Sequence, residues 1–235
     1  MTFTPTSRDR DDRVKFGALR FKPQPAYGWT VMTIAAQELV VFTGESIERL
    51  AGGRVKGSML RAHVDWVREC GTPEETIEFF ESLSPEVRVD AMTVLASSWY
   101  PFASLMEIDR RILHIFGKGR ISFLEGLGRH SARRNLASVA TMLHDTPPHA
   151  FFQRTAMLHR TFQNFGLAEY VPTSETSGSM VHSDYACFSP LYCASATGFY
   201  REAILMHGQM SALVVESSCQ CFGDEACRFD LSWSR

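Results

Sequence analysis

From residue 56 to residue 165 apolar positions recur at three- and four-residue spacing, the mark of helices that bury one face. The spacing predicts helices over 57–69, 73–82, 85–96, 105–116, 131–143 and 148–165. Local signals agree. Thr72 precedes Pro73, Glu74 and Glu75, which sets a capping hydroxyl before a proline and places acids where the helix dipole favours negative charge. Ser84, Pro85 and Glu86 repeat the arrangement, and Gly71, Gly117 and Gly166 stand where helices stop.

After Gly166 the pattern changes. TSETSGSMVHSDYACF reads as strand, SPLYCASATGFYREAILMHG as helix, and SALVVESSCQCFGDEACRFDLSW as a β-hairpin turning at 222–225. At the other end, residues 1–28 are polar, mixed in charge and carry three prolines, so they read as a flexible tail. TVMTIAAQELVVF, residues 30–42, is apolar enough to be ordered, as helix or strand. No fixed-period repeat is present. The expected fold class is α+β: helices packed on a small antiparallel sheet, with a metal-bound C-terminal hairpin. Residues 29–235 form one domain in this reading, with its metal-binding part at 170–235.

Composition narrows the function. Hydrophobic residues make up 45% and charged residues 21% of the 235-residue chain, an ordinary globular balance. With 24 basic against 26 acidic residues the net charge is -2, so no broad basic surface awaits nucleic acid or an anionic membrane. The first residues lack the apolar core of a secretion signal, and no run reaches the roughly 18 apolar residues of a membrane helix. The expected location is the cytoplasm. In a reducing compartment the six cysteines read as metal ligands or buried thiols rather than disulfides.

Four of those cysteines, Cys193, Cys219, Cys221 and Cys227, follow Cys187. A hairpin brings Cys219 and Cys227 together across the Gly223-Asp224 turn, Glu216 lies just upstream, and the preceding helix supplies Cys193. Three thiolates and a carboxylate make a tetrahedral set suited to zinc, and a set filled by protein is structural. Glu216 and Cys219 have opposite parity, so Ser217 and Ser218 must bulge the strand for both to face one site. The alternative is a set of buried cysteines beside a surface glutamate.

Cys193 opening a helix that contains Gly198, then Glu216-x-x-Cys219, Gly223 and Cys227, resembles the 4-vinyl reductase domain, and in particular the ligand-sensing domain of phenol-responsive transcriptional activators. The resemblance implies that Cys193, Glu216, Cys219 and Cys227 bind zinc, with Cys221 an extra thiol able to compete. More loosely, residues 56–166, including SLSPEVRVDAMTVLASSWYP, Gly126 and Gly128, are similar to an uncharacterised family best known from myxobacteria that carries the same C-terminal domain.

No Gly-x-Ser-x-Gly elbow, His-Glu-x-x-His helix or Walker loop occurs, so common hydrolases and nucleotide enzymes lose support. Trp99, His159, Phe162, Phe165 and Tyr170 are candidates to line an apolar pocket with an imidazole anchor, or else are ordinary core. His130 with Arg129, Arg133 and Arg134 forms a basic cluster able to grip an anion or simply to face water. His182 and His207 lie near the metal segment but off its spacing. The Tyr-x-Ser-x-Arg anchor of haem-based nitric oxide sensors occurs at none of the tyrosines.

The expected function is a zinc-containing, homodimeric sensor that binds a small apolar or aromatic ligand and acts through a partner protein, without catalysis, nucleic acid or membrane. The alternatives are a tetrapyrrole carrier or reductase accessory, implied by the resemblance, and a non-catalytic scaffold subunit.

Overall fold

A computed structural model describes residues 47–137 and 146–234. The expected tail at 1–28 and the apolar segment 30–42 lie outside the described residues. The chain begins with a short strand, β1 (Arg54–Lys56), and runs through helices α1 (Gly57–Cys70), α2 (Pro73–Ser82) and α3 (Pro85–Met92). Strand β2 (Trp99–Pro101) pairs antiparallel with β1 and leads into α4 (Phe102–Ile115), α5 (Phe123–Leu136) and α6 (Pro148–Phe162). The hairpin β3 (Leu167–Ser174) and β4 (Ser177–Ser183), helix α7 (Pro190–Met206), and the hairpin β5 (Ser211–Ser218) and β6 (Cys227–Ser234) complete the fold. It is α+β, with seven α-helices and two small antiparallel sheets among the described residues.

Physical signals in the sequence place several of these elements. Thr72 and Glu75 form a reciprocal capping box at α2, each side chain bonding the other's backbone N–H. At α3 the expected Ser84 cap is replaced. Glu107 of α4 accepts both the Ser84 N–H and its hydroxyl, so the serine ties two helices together instead of closing its own. Helix α3 also ends at Met92, short of the expected 96, because the following residues turn back to α1: the Gly57 and Ser58 N–H groups donate to the Ser98 and Ala96 carbonyls.

Two further boundaries differ for tertiary reasons. Helix α6 stops at Phe162 because Gln163 becomes extended and bridges Val55 of β1. Helix α5 starts at Phe123, eight residues before the expected 131, and carries Gly126 and Gly128 inside it. Glycine disfavours a helix interior, but Gly128 meets the backbone of α7: a Cβ there would lie 1.8 Å from the Ser195 carbonyl oxygen. Gly198 answers from the other side, where a Cβ would lie 1.9 Å from the Glu125 oxygen. The pair lets α5 and α7 cross almost backbone to backbone.

The interior divides into two apolar clusters. One joins α1, α2, α4 and α5 through Leu60, Val64, Phe79, Leu105, Ile112 and Leu124. The other fills the space between α7, α6 and the four-stranded sheet, ordered β3-β4-β6-β5, through Phe152, Met180, Ile204, Val214, Phe229 and Leu231. Along β6 the alternation is regular: Cys227, Phe229, Leu231 and Trp233 face this core while Arg228 and Asp230 face out. Among the described residues no helix is long and apolar enough to cross a membrane.

Candidate functional site

At one end of the second core, α7, the bulged end of β5, the turn after it and the start of β6 bring together Cys193, Glu216, Cys219 and Cys227. One donor atom from each lies within 4.8 Å of all the others. The sulfurs are packed closely: Cys193 to Cys227 is 3.6 Å, and Cys219 is 3.9 Å from both. The pairing of β5 with β6 shifts register between Glu216 and Ser218, which is the bulge that opposite parity demands. The turn that follows is a short 3-10 segment, Gln220–Phe222, closed by Gly223 at φ 98°, a left-handed conformation that favours glycine. Asp224 fastens it, its carboxylate accepting the Cys219 N–H at 2.8 Å.

The electrostatics of this cluster suit a cation. Burial, together with the neighbouring Cys227 and Asp224, pushes the Glu216 carboxyl up to about 7, although contacts with Cys219 and Cys193 favour its charged form. Its Oε1 is buried without a hydrogen-bond partner, a costly state for a carboxylate oxygen. Cys221 is buried beside the set, and contacts with Cys193 and Cys219 bring its thiol down to about 6. It stands outside the four-donor group.

A second polar feature lies where the two cores meet. The His182 ring stacks on Tyr185 at 5.2 Å between centroids and 5° between planes, packs against Phe229 at 5.3 Å, and shares a 2.7 Å hydrogen bond with the Tyr200 hydroxyl. Full burial, helped by nearby His159, brings His182 down to about 3, so its ring is neutral. His159 approaches from α6, with Nε2 3.1 Å from the Phe165 carbonyl oxygen and 3.3 Å from the Tyr185 hydroxyl. Burial lowers its pKa as well.

The five pocket candidates are not gathered into one cavity among the described residues. His159 and Phe165 meet at the end of α6, and Phe165 is buried against Phe102 and Tyr185. Phe162 is 45% exposed. Tyr170 belongs to the second core, stacked on Phe152 with its hydroxyl on His149 Nδ1. Trp99 sits on β2 with the Lys56 ammonium over its ring. The basic cluster is occupied internally. Arg129 and Arg133 both donate to the buried Glu202 of α7, Arg134 pairs with Asp65 and Glu69, and His130 lies 3.8 Å from Glu69. His207 directs Nδ1 to the Thr146 carbonyl.

No protein family and no curated protein matches the chain. Solved structures do. An Fe(II) unliganded H-NOX protein from K. algicida aligns with a TM-score of 0.60 at 12% identity, covering 77% of this chain and 97% of its own. An H-NOX protein from S. oneidensis in the Fe(II)NO ligation state gives 0.59 at 16%, covering 77% and 99%. An oxygen-binding H-NOX domain related to soluble guanylate cyclases gives 0.56 at 11%, covering 77% and 95%. The fold is H-NOX-like.

That finding corrects two expectations. The structural neighbours are H-NOX domains and not 4-vinyl reductase domains, so the family resemblance drawn from the C-terminal motif does not stand. A short motif of cysteines, glutamate and glycine describes a hairpin turn and its donors, which unrelated families can share. Zinc as the cofactor is set aside on the same finding, since the neighbours are described by Fe(II) and by heme. The spacing never specified zinc: three thiolates and a carboxylate are donors that several soft metals accept.

The fold family brings haem into question, and the interior decides how well it fits. A haem needs a flat slot and an axial donor such as an imidazole, thiolate or phenolate. Where the two cores meet, the space is filled by the chain's own rings, with Tyr185, His182, Phe229 and Tyr200 in successive contact at 5.2–5.4 Å. The His182 Nε2 is already engaged there by the Tyr200 hydroxyl. The place where the two cores meet therefore does not fit a haem. The Tyr-x-Ser-x-Arg anchor is also missing from the sequence.

Proposed function

We propose that this chain is a sensor module that binds a small molecule and passes its state to a partner protein. The observation that carries this reading is the H-NOX-like fold itself, matched over 95–99% of the solved H-NOX chains. Among the described residues two apolar cores are joined by a few buried polar rings, the kind of lining that small-molecule sites use. The ligand in this reading is a small apolar or aromatic molecule at the end of α6, anchored by His159 with Phe162 and Phe165 beside it. Homodimerisation and cytoplasmic location belong to the same proposal.

In the same reading Cys193, Glu216, Cys219 and Cys227 hold a thiophilic metal ion, supported by three mutually touching sulfurs and an unpartnered carboxylate oxygen. Such an ion would pin α7 to the β5–β6 hairpin and stabilise the sheet end of the fold.

Native mass spectrometry of the full chain, followed by thermal-shift titration with simple aromatic compounds, tests the ligand. Retention of an organic mass, or a saturable rise in melting temperature that His159→Ala abolishes, is the expected result. A chain that retains no organic mass and that no compound stabilises overturns the ligand reading.

A further inference from the structure

Residues 47–51 form a strap bonded on several sides to segments that flank the thiol cluster. The Ile47 N–H donates to the Cys221 carbonyl at 3.1 Å. Arg49 and Phe188 exchange both backbone hydrogen bonds, at 3.0 and 2.8 Å. The Glu48 carboxylate accepts the Ser189 hydroxyl at 2.5 Å on one oxygen and the Arg110 guanidinium at 2.7 Å on the other. The Cys187 thiol donates to the Ala51 carbonyl at 2.9 Å.

Two of these fastenings touch the metal-binding machinery within a few bonds. Cys221 lies in the turn between Cys219 and Cys227. Ser189 caps α7, its hydroxyl accepting the Leu191 N–H, and its carbonyl accepts the N–H of Cys193. The strap is thus attached at once to the turn and to the helix end that supply thiols to the cluster, while Arg110 ties it to the helical core. Short peripheral segments of this kind sit at the low-stability end of a fold, and their opening responds to small free-energy differences.

We propose that the strap reads the occupancy of the thiol cluster and carries it to the chain's N-terminal segment. The proposal rests on the reading of the cluster as a metal site. An ion shared by Cys193, Cys219 and Cys227 holds the 219–222 turn and the head of α7 at a fixed separation. The strap bonds to both, so it closes best when that separation is fixed. Without the ion the turn and the helix end lose that bridge, and the Ile47 and Glu48 bonds open more readily together. Forty-six residues precede Ile47 in the sequence, so the strap is the covalent path by which this state reaches them. Coupling of this kind is reciprocal: whatever the ion gives to closure of the strap, closure gives to the ion's affinity.

The test uses the full chain and Co2+ alone. Thiolate-to-cobalt absorption reports binding, and hydrogen exchange at the Ile47 and Arg49 amides reports the strap. The expected result is exchange slowed by about fivefold or more at saturating cobalt, in the usual range of coupling between sites. Glu48→Ala, which cuts the strap without touching the donors, is expected to weaken cobalt binding by a similar factor. Full cobalt absorption with unchanged exchange in the native chain and unchanged affinity in Glu48→Ala overturns the inference while leaving the metal site standing. Absence of cobalt absorption overturns the metal reading, and this inference with it.

Discussion

His182 and Tyr200 share a 2.7 Å hydrogen bond that joins the helical core to the sheet core. The imidazole stacks on Tyr185 of the first cluster while its Nε2 meets the hydroxyl of Tyr200 in the second. Burial keeps the ring neutral by lowering His182 from 6.5 to about 3.

The sign of the pH dependence follows. A histidine depressed in the fold contributes stability that is present above its ordinary value and lost as pH falls through the interval down to its folded value. Acidification from about pH 7.5 to about pH 5 therefore weakens the native chain by on the order of 2 kcal/mol through His182 alone. His182→Phe keeps a ring but leaves Tyr200 unpaired, costing about 1–3 kcal/mol near neutrality. Urea unfolding at the two pH values should show this deficit narrowing in acid. A deficit that stays constant contradicts the assignment.

The crossing of α5 and α7 predicts opposite outcomes for two neighbouring glycines. Gly128→Ala drives a methyl into the Ser195 carbonyl and should cost about 3 kcal/mol or more. Gly126→Ala meets nothing within 4 Å and should raise stability by about 0.5–1 kcal/mol, since alanine suits a helix interior better than glycine. Thermal unfolding of both variants checks this. Equal effects would refute the close crossing.

At α2, Thr72→Ala should cost about 1 kcal/mol, and adding Glu75→Ala should cost less than the two single losses summed, because the two side chains close one box. Strict additivity in a double-mutant cycle would show that the two bonds act separately.

Haemin added to the full chain should form no stoichiometric complex, because the rings of Tyr185, His182, Phe229 and Tyr200 occupy the place where the cores meet. A one-to-one complex with a sharp absorption band that His182→Ala or His159→Ala removes would reverse that assignment.

Much of the fold was legible in the sequence wherever local physics decides it. The Thr72 cap, the first four helices within a few residues and the C-terminal hairpin rest on periodicity, caps and a turn glycine. Where tertiary contact decides, sequence reading failed. The spacing predicts a helix only from 131, yet α5 begins at Phe123 and runs through Gly126 and Gly128, where Gly128 lets α7 approach closely. The stretch after Gly166 reads as one strand but is a hairpin, since TSETSGS hides a turn among residues that also suit strands. The pairing of β1 with β2 spans three residues and carries no pattern of its own.

The site shows the same division. The four donors were legible because Glu216-x-x-Cys219 and Cys227 lie on one hairpin, and their parity conflict foretold the bulge. The polar rings between the cores were not, because His182, Tyr185 and Tyr200 come from different elements and only folding brings them to the same place. The family was misread because a motif of a few residues fixes a local geometry without fixing the fold around it.

Titration of the purified chain with cobalt(II), followed by its thiolate charge-transfer absorption, tests the metal site most directly. The predicted result is one tightly bound ion per chain with the spectrum of a tetrahedral thiolate site, weakened or lost in Cys219→Ser and Cys227→Ser and unchanged in Cys70→Ser. A native chain that binds no cobalt, or binds it equally well in all three variants, contradicts the assignment of Cys193, Glu216, Cys219 and Cys227 as a metal site.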